Sequence, residues 1–586
     1  MTDCCRNLTS MKLNDCFKTY TYELDKIISP EETVKEVRKR LKDSGIDILK
    51  KLVRIDTGRL NIPVYLSMCG TDAVKTIGTR KQMGKGGTPD QAEASALMEL
   101  VERFSFFSFI HKDNFLETTY RTIRDHALPY GYIPQSVYDP DPRSETAFKL
   151  FENLPLTWTK AHDIKNGQNV YLPIGWFYAI HEYNGPAAGN SIEEALLQGL
   201  CEVVERHVSS IISHEKRPTP TIALASIQDP AGRELIQKFQ RNGIKLYLKD
   251  FSLNTGIPTV GALAYDPMTF PNASEIIFTA GTTTSPEKSV IRAMTEVAQL
   301  AGDFQNRTTY KPTLPKFVDL QEASYIIDNE KVVELQSLPD LSDRNLKVEI
   351  DRCIKALAFI GLDVFAVDMT HPELKIPVVY TVIPGAHFRD RTRENDVCYH
   401  SARLVSGLPD AHRALEEMKK MSILFPNRYE VAFFLGYAYE RLEYPQKALA
   451  HFERALSLYP RPVDIVNIYC HIGIAHRDMG DYEKAIAMLS EGLSHDNQMK
   501  EVYQQLGYCY FKLAKYEEAI AQFEKVLEID PGSAIDYANI GANLKAMGYN
   551  AEAIKLYEMA LDLDPEIDFA QHHLRELRGE TVTRAT

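Results

Sequence analysis

The sequence predicts an α+β domain followed by an all-α solenoid of helical repeats. From about residue 31 to residue 405, helical patterns alternate with short runs of strand-forming residues, which is typical of an α+β core. From residue 406 onward the pattern is uninterrupted helix, and a glycine recurs at intervals of 37, 34 and 34 residues. The predicted organisation is therefore an irregular segment at 1–30, an α+β domain at 31–405 and repeats at 406–586.

The composition is that of an ordinary globular protein. The 586 residues are 44% hydrophobic and 25% charged, and the net charge is -13. This acidic balance argues against nucleic acid as the main partner, because nucleic-acid-binding proteins present a basic face. No run of eighteen apolar residues is present, so no membrane span is predicted. The first residues lack the apolar core of a secretory signal, and a cytoplasmic location is expected.

The nine cysteines are dispersed and include no Cys-x-x-Cys pair. An odd number of scattered cysteines predicts reduced thiols in the cytosol. Cys4, Cys5 and Cys16 lie close enough in sequence to hold a metal, but no histidine spacing accompanies them. No structural zinc site is predicted.

The first ordered element is predicted to be a helix that begins after Ser29 and ends at Gly45. Proline in the first turn, followed by two glutamates, matches the preferences of a helix N-terminus. Strands are predicted at 52–55 and 63–68, and again at 170–174 and 378–385. The range 110–180 is rich in Pro, Tyr and Asp and is predicted to wrap the surface.

A glycine-rich loop at 84–88 precedes a predicted helix. Such a loop can bring backbone N–H groups close to phosphate, although flexible turns use the same residues. Lys85, inside this loop, is a candidate phosphate contact of second rank.

A stripe of polar side chains runs along the helix predicted at 187–207. Counted from Asn190, its members follow at steps of four, four, four, three and one: Glu194, Gln198, Glu202, Glu205 and Arg206. Residues three and four apart are neighbours on a helix, so these side chains share one face. Carboxylates and amides pack poorly, but they suit a divalent cation and the hydroxyls and phosphates of a nucleotide. The alternative is a solvated amphipathic face.

The recurrence of this stripe favours a site over a solvated face. The stretch at 92–104, AEASALMELVERF, repeats the four-three-one spacing with Ser95, Glu99, Glu102 and Arg103. A third helix carries Arg292, Glu296 and Gln299 at the same four-three spacing. If the three helices pack together, they create a strongly negative cleft that is stable only with cations inside it.

These three elements resemble the ATP-binding helices of the YcaO family. The paired Glu-x-x-Glu-Arg motifs are specific, and the resemblance extends over roughly residues 30–400. The sequence contains neither a P-loop nor the motif set of protein kinases, which fits a family with an unusual nucleotide site. Proteins of this family use ATP to activate a backbone amide oxygen in a peptide.

The resemblance implies ATP and Mg²⁺ as cofactors and assigns a role to each residue of the stripes. The implied magnesium ligands are Glu99, Glu102, Glu202 and Glu205. The implied phosphate contacts are Arg103, Arg206 and Arg292, with Lys85 in second rank. The remaining nucleotide shell would contain Ser95, Asn190, Glu194 and Gln198. No catalytic side chain is assigned.

The C-terminal pattern is that of tetratricopeptide repeats. Gly436, Gly473, Gly507 and Gly541 are each followed twelve residues later by alanine, and prolines close three of the four units. Small residues at these positions allow the two helices of a unit to touch. We expect about four units and a terminal capping helix.

The expected function is ATP-dependent modification of a peptide or protein backbone, with the repeats recruiting the substrate or a partner. Azoline-forming relatives end in a Pro-x-Pro-x-Pro tail, whereas this sequence ends ELRGETVTRAT, which favours a thioamide-type or other non-azoline product. A sulfur-delivery or accessory protein is then an expected partner, and a homodimer is left open. Two alternatives stand beside this reading: an accessory factor for ribosomal protein methylthiolation, and a nucleotide-sensing scaffold without catalysis.

Overall fold

The computed structural model describes residues 11–112, 115–305, 314–388 and 395–579. The chain forms two compact units, Met1–Val397 and Cys398–Thr586. We call them the N-terminal and the C-terminal unit. Of the segment predicted to be irregular, residues 1–10 lie outside the described residues, and so do Cys4 and Cys5. The other seven cysteines are free thiols.

The N-terminal unit combines twelve α-helices with fourteen strands in the described ranges. The helices are α1 (Pro30–Ser44), α2 (Thr71–Ile77), α3 (Pro89–Ile110), α4 (Tyr120–Ile123), α5 (Tyr132–Ser136), α6 (Glu145–Asn153), α7 (Ile174–His181), α8 (Ile192–Glu215), α9 (Pro230–Arg241), α10 (Pro286–Ala301), α11 (Ser324–Ile327) and α12 (Leu346–Phe359). The strands are β1 (Leu49–Arg54), β2 (Val64–Cys69), β3 (Lys81–Lys85), β4 (Leu116–Thr118), β5 (Leu156–Asp163), β6 (Gln168–Pro173), β7 (Pro186–Ala188), β8 (Thr221–Ile222), β9 (Lys245–Asp250), β10 (Thr259–Tyr265), β11 (Ile277–Thr282), β12 (Val332–Val333), β13 (Phe365–Asp368) and β14 (Val378–Val382).

The strands form three sheets. Their orders are β1-β2-β3, β11-β10-β9-β8-β12, and β4-β5-β13-β14-β7 with β6 paired to β5. Neighbouring strands run antiparallel except β8 and β12, which are parallel. Antiparallel sheets with separate helices are the hallmark of the α+β class, so the predicted fold class of this unit is confirmed.

Helix α8 is the central helix of the N-terminal unit. Its apolar side chains Leu196, Leu200 and Val203 are fully buried and pack with α12, β13 and β14. The same helix also contacts β7 and β11. Because packed elements surround it, the polar stripe of α8 is held in one orientation by the core.

The range 110–180 does not wrap the surface, contrary to the sequence prediction. It contributes β4, β5 and β6 to the six-stranded sheet together with α4–α7. Trp158 and Trp176 in this range are each 1% exposed. The prediction was wrong because these strands and helices are short, so hydrophobic periodicity is weak within each of them.

The N-terminus of α1 follows the predicted capping chemistry. Ser29 accepts a hydrogen bond from the backbone N–H of Glu32, and the Glu32 carboxylate accepts one from the backbone N–H of Ser29, which is a capping box. Gly45 ends the helix with φ of 69°, in the left-handed region that glycine adopts without strain.

The C-terminal unit is all helical among its described residues. Its helices are α13 (Val397–Ser406), α14 (Ala411–Leu424), α15 (Tyr429–Glu440), α16 (Pro445–Ser457), α17 (Pro462–Asp478), α18 (Tyr482–His495), α19 (Lys500–Lys512), α20 (Tyr516–Ile529), α21 (Ala534–Ala546), α22 (Asn550–Leu563) and α23 (Asp568–Arg578). Helices α15 to α22 pack as four consecutive pairs, and α23 packs on the last pair. This arrangement confirms an all-α repeat array.

The repeated glycines lie where the two helices of each pair touch. A Cβ at Gly436 would lie 2.7 Å from the Phe452 ring, and one at Gly507 would lie 2.6 Å from the Phe523 ring. The aromatic side chain therefore occupies the space left by the missing Cβ, as the repeat pattern predicts. Among the helices of the described ranges, none is long and apolar enough to cross a membrane. The cytoplasmic location stays a prediction.

Candidate functional site

Three helices with well-defined N-termini carry the candidate site. Thr88 caps α3 and Ser191 caps α8, each by accepting a hydrogen bond from a backbone N–H two or three residues into the helix. Helix α10 begins with Pro286, whose fixed φ suits a first helical turn. The caps fix where each helix begins, and packing against the core fixes the direction in which its polar stripe points.

The three polar stripes and the end of β3 enclose one cavity of about 410 Å³, which we call the acidic cavity. It is lined by Lys81, Gln82, Met83, Lys85, Ser95, Glu99, Glu102, Arg103, Gln198, Glu202, Glu205, Arg206, Arg292, Glu296 and Gln299. Ten of the twelve residues that the family resemblance implies are in this set. The volume lies within the range of small-molecule sites, about 300–1,000 Å³.

The two Glu-x-x-Glu-Arg motifs form the same ion-pair arrangement. Arg103 lies 2.8 Å from Glu99 and 3.5 Å from Glu102. Arg206 lies 3.4 Å from Glu202 and 3.7 Å from Glu205. Each arginine thus lies between two carboxylates of its own helix.

Helix α10 and strand β3 add further cations to the acidic cavity. The Arg292 Nε lies 3.3 Å from Glu205, and the backbone N–H of Thr282 donates to the same carboxylate at 3.0 Å. Lys85 forms an ion pair with Glu296. Five carboxylates and five basic side chains line the cavity, so it is not the strongly negative cleft predicted from the sequence. A site that offers both charges suits a metal–polyphosphate ligand.

Burial and like charges perturb the ionisation of groups in the acidic cavity. Burial, followed by the nearby charges of Glu99 and Glu202, raises the pKa of Glu102, while Arg103 opposes the shift. Burial and the neighbouring Arg292 lower the pKa of Lys85 to about 7. A bound cation would stabilise the ionised Glu102 carboxylate, and a bound anion would stabilise the protonated Lys85 amine.

The chemistry of the lining residues fits both a divalent cation and a phosphate. Five carboxylates, the four implied metal ligands and Glu296, offer the hard oxygen ligands that Mg²⁺ prefers. The Arg206 Nε is a buried donor without a hydrogen-bond partner, which suits a phosphate oxygen. Within the described ranges, no three His, Cys, Asp or Glu side chains stand close enough together to hold a metal, since the cavity carboxylates contact arginines instead. The assignment of the metal ligands stays a prediction.

Asn190 and Glu194 lie outside the acidic cavity, although they belong to the same stripe. Asn190 donates to Glu194 at 3.0 Å and lines a separate groove of about 590 Å³ beside α1. Glu194 pairs with Lys26 at 3.1 Å and lines a second pocket near the start of α8. One stripe of α8 therefore faces three different spaces along its length.

We call residues 11–28 the N-terminal strap. The pocket lined by Glu194 is the strap pocket, because the strap forms one side of it. Its lining residues are Leu24, Asp25, Lys26, Glu194, Leu197, Gln198, Cys201, Thr282, Thr283, Thr284, Lys288, Arg292, Leu346 and Glu349. Gln198 and Arg292 line the strap pocket and the acidic cavity alike. The two spaces are therefore adjacent.

The glycine-rich loop has a different role from the one considered from sequence. A Cβ at Gly84 or Gly86 would meet the backbone of α3, so these glycines permit β3 and α3 to pack closely. The backbone N–H of Gly87 donates to the Glu23 carboxylate at 2.6 Å. A carboxylate of the strap therefore already occupies the N-terminus of α3, and only Lys85 of the loop reaches the acidic cavity.

Several cavity residues were not assigned from sequence. Glu296 and Gln299 were recognised as a stripe on α10 without a role, although their spacing from Arg292 was the available signal. Lys81, Gln82 and Met83 come from β3, where no motif marks them. The strap was predicted only as an irregular segment, and nothing local indicates its contacts with α8.

The fold and the cavity together define an α+β protein with a mixed-charge site for an anionic ligand, joined to helical repeats. The model of the YcaO cyclodehydratases, described as ATP- and Mg²⁺-binding, matches residues 83–387, and the chain belongs to this family. Tetratricopeptide-repeat models match residues 429–462, 476–544 and 537–567. ATP and Mg²⁺ are accordingly the cofactors of the family to which the chain belongs.

Similar proteins support this assignment. An uncharacterised protein of Methanothermobacter thermautotrophicus is 29% identical over 388 residues, which are 61% of this chain and 94% of that protein. The ribosomal protein S12 methylthiotransferase accessory factor of Escherichia coli is 30% identical over 213 residues, 31% of this chain and 35% of that factor. A heterocyclase structure, solved in complex with substrate and cofactor, shares the fold with a TM-score of 0.52 at 21% identity, covering 65% of this chain and 55% of that one.

Proposed function

We propose that the N-terminal unit binds ATP with Mg²⁺ in the acidic cavity and uses it to activate a backbone amide oxygen of a peptide or protein. The observation that carries this proposal is the convergence of the three stripes on one cavity. Glu102 and Glu205 are separated by 103 residues, and Glu205 and Arg292 by 87, yet all three line the same space. Magnesium-dependent nucleotide binding distinguishes this function from a solvated charged surface.

The charged side chains exchange partners when the ligand binds. Arg103, Arg206 and Arg292 turn from carboxylates to phosphate oxygens, and Arg206 already carries an unpartnered buried Nε. The carboxylates released in this way, Glu99, Glu102, Glu202 and Glu205, hold the metal. Magnesium held by these carboxylates would neutralise the charge that develops on the phosphate during phosphoryl transfer. The protein does little covalent work and provides position and charge.

The nucleoside end of ATP extends into the strap pocket. This placement follows from Gln198 and Arg292, which line both spaces, so a ligand anchored by its phosphates has a direct route into the pocket. Glu194, assigned to the nucleotide shell from the family resemblance, lines that pocket. Asn190 reaches the nucleoside only through Glu194, to which it donates at 3.0 Å.

The activated atom is the oxygen of a substrate amide. It attacks the γ-phosphorus, the bond to the bridging oxygen breaks, and ADP leaves. A nucleophile then attacks the carbonyl carbon, and the former amide oxygen departs with the phosphate. Sulfide as nucleophile gives a linear thioamide, whereas a Cys, Ser or Thr side chain of the substrate gives a ring.

Mass spectrometry of the product distinguishes these two outcomes. We expect the peptide substrate, incubated with the protein, ATP, Mg²⁺ and a sulfide source, to exchange one oxygen for sulfur. Omission of sulfide or of ATP serves as the control and should leave the peptide unchanged. A product that has lost the elements of water at Cys, Ser or Thr without added sulfide would contradict the thioamide proposal.

The repeats recruit the substrate or a partner. Their inner helices α17 and α19 contact each other and present Tyr508, which is 42% exposed, with Arg477 and Lys512 over its ring at 5.6 and 5.3 Å. Exposed rings flanked by cations are common at binding surfaces. Arrays of this kind present an extended face suited to a peptide or helix.

A chain that ends at Val397 is expected to bind ATP normally and to lose partner capture. Affinity capture from extracts of the producing cells, followed by mass spectrometry, gives the comparison. Full-length Tyr508→Ala tests the exposed ring itself, because it removes that ring, leaves every repeat in place and should also weaken partner capture. If both variants capture the same partners and have the same native association state as wild type, the repeats do not recruit.

The second candidate function is an accessory factor without catalysis of its own. The similarity to the Escherichia coli accessory factor favours it, although this chain covers only 35% of that protein. Nucleotide consumption distinguishes the two functions. ATP hydrolysis that rises several-fold with a peptide substrate alone supports the enzyme, and hydrolysis that needs a second protein supports the accessory role.

A further inference from the structure

The strap pocket contains one buried carboxylate oxygen that has no hydrogen-bond partner. Glu349 of α12 is 0% exposed. Its Oε1 accepts from the Lys18 Nζ at 2.5 Å and from the backbone N–H of Asp343 at 2.8 Å. Its Oε2 is buried and has no donor in hydrogen-bond geometry, although the Thr284 side chain also interacts with this carboxylate. A buried acceptor without a donor is costly, so Oε2 is suited to receive a donor from a ligand.

Three leucines give the otherwise polar strap pocket an apolar face for a flat ring. Leu24, Leu197 and Leu346 line the same pocket and provide apolar surface. The pocket of about 50 Å³ is smaller than a purine ring, so the strap residues Leu24–Lys26 have to shift outward when a base enters. The strap is joined to the body by apolar packing of Met11, Leu13, Cys16 and Ile27 near its two ends. Its middle part makes polar contacts, including Lys288 to the backbone carbonyls of Thr21 and Tyr22 at 2.8 and 2.7 Å. Such contacts can re-form after a small displacement.

We propose that Glu349 determines base specificity, with its Oε2 accepting a hydrogen bond from the exocyclic amino group of adenine. This inference rests on the proposed function, since it requires the phosphates in the acidic cavity and the nucleoside in the strap pocket. The number of free acceptors selects the base. Guanine offers two adjacent donors that need two carboxylate oxygens, but Oε1 is already occupied by Lys18 and Asp343. One free oxygen matches the single amino group of adenine, and it repels a keto oxygen at the same position.

The substitution Glu349→Gln is expected to invert this preference because the orientation of the new amide is dictated by its neighbours. Lys18 and the backbone N–H of Asp343 are both donors, so they retain the amide oxygen on their side. The amide NH₂ then faces the pocket, where it opposes the amino group of adenine and donates to the keto oxygen of hypoxanthine.

The experiment measures the binding of ATP, inosine triphosphate and purine riboside triphosphate, each with Mg²⁺, to the full-length protein. Purine riboside triphosphate lacks any group at the position of the amino group. In wild type we expect ATP to bind about 10- to 100-fold more tightly than either analogue. In Glu349→Gln we expect the affinity for ATP to fall by a similar factor, so that inosine triphosphate becomes the preferred ligand. The affinity for purine riboside triphosphate should change little.

Glu193→Gln is the matched control. Glu193 is another buried carboxylate that contacts the strap, accepting from the backbone N–H of Asn14 at 2.8 Å, but it lines none of the three spaces described above. Its ratio of ATP to inosine triphosphate affinity should equal that of wild type. An equal ratio in wild type and Glu349→Gln would overturn the proposal, and so would a shift of the ratio in Glu193→Gln as large as that in Glu349→Gln.

Two results separate this inference from the proposed function. If wild type binds none of the three nucleotides, the nucleotide site itself is wrong and the inference fails with it. If wild type binds ATP and purine riboside triphosphate equally well, the nucleotide site stands and the inference alone is overturned. The latter comparison needs no variant, so it decides the question even if Glu349→Gln does not fold.

Discussion

Glu202→Gln combined with Glu205→Gln is expected to abolish magnesium-dependent ATP binding, with a loss of at least about 100-fold in affinity, or about 2.8 kcal/mol. Glutamine preserves the volume of each side chain, and the amide oxygen at position 205 can still accept from the Thr282 N–H. The substitutions remove two of the four carboxylates that would hold the metal. They also leave Arg206 without either of its carboxylate partners. Isothermal titration with ATP, in Mg²⁺ and in chelator, measures the effect.

The matched control removes the same two charges outside the acidic cavity. Glu36 and Glu93 pair with Arg40 and Arg38, and neither glutamate lines the cavity. Glu36→Gln with Glu93→Gln should therefore bind ATP as wild type does. Both tryptophans of the chain, Trp158 and Trp176, lie in the N-terminal unit, so their fluorescence reports the folding of that unit alone. Unchanged ATP affinity in a folded Glu202/Glu205 double variant would refute the site assignment.

Gly84→Ala is expected to lower the free energy of unfolding of the N-terminal unit by about 3 kcal/mol. A Cβ at this position of β3 would overlap the backbone of Ala96 in α3 and would lie 2.6 Å from the carbonyl oxygen of Ala92. Backbone atoms of a packed helix cannot move aside as a flexible side chain can, so β3 and α3 must separate. Denaturant unfolding followed by tryptophan fluorescence measures the loss.

The same substitution should weaken ATP binding, because β3 also carries Lys85 into the acidic cavity. Gly131→Ala is the control: its φ of -53° suits alanine, and nothing lies within 4 Å of the added Cβ. We expect its stability to stay within about 0.5 kcal/mol of wild type. Wild-type stability for Gly84→Ala would show that the close approach of β3 and α3 is not required.

The polar stripes and the repeats were predictable because their signals are local. On a helix, residues three and four apart share a face whatever surrounds the helix, so the Glu-x-x-Glu-Arg motifs indicated their own geometry. The ion pairs of Arg103 and Arg206 with the glutamates of their own helices follow from that spacing. The contact of Gly436 with Phe452 likewise follows from a short-range pattern that recurs in every unit.

Long-range packing determines which residues of a polar stripe line the same cavity. Asn190 lies just before the Ser191 cap of α8, about three turns from Glu202, and the two residues line different spaces. The strap reaches Glu194 across 168 residues of chain through Lys26. No local pattern encodes such a contact. Sequence periodicity therefore assigned Asn190 and Glu194 to the same site as the stripe residues that line the acidic cavity.

The glycine-rich loop shows the same division between local and tertiary information. Its sequence predicted a glycine-rich loop directly before a helix N-terminus, which the structure has in Gly84, Gly86 and the Thr88 cap. The identity of the anion at that N-terminus could not be read locally, because a helix N-terminus accepts a phosphate or a carboxylate by the same electrostatics. The tertiary structure places the Glu23 carboxylate at this N-terminus, although Glu23 is 64 residues from Gly87 along the chain. Of the residues in the loop, only Lys85 lines the acidic cavity.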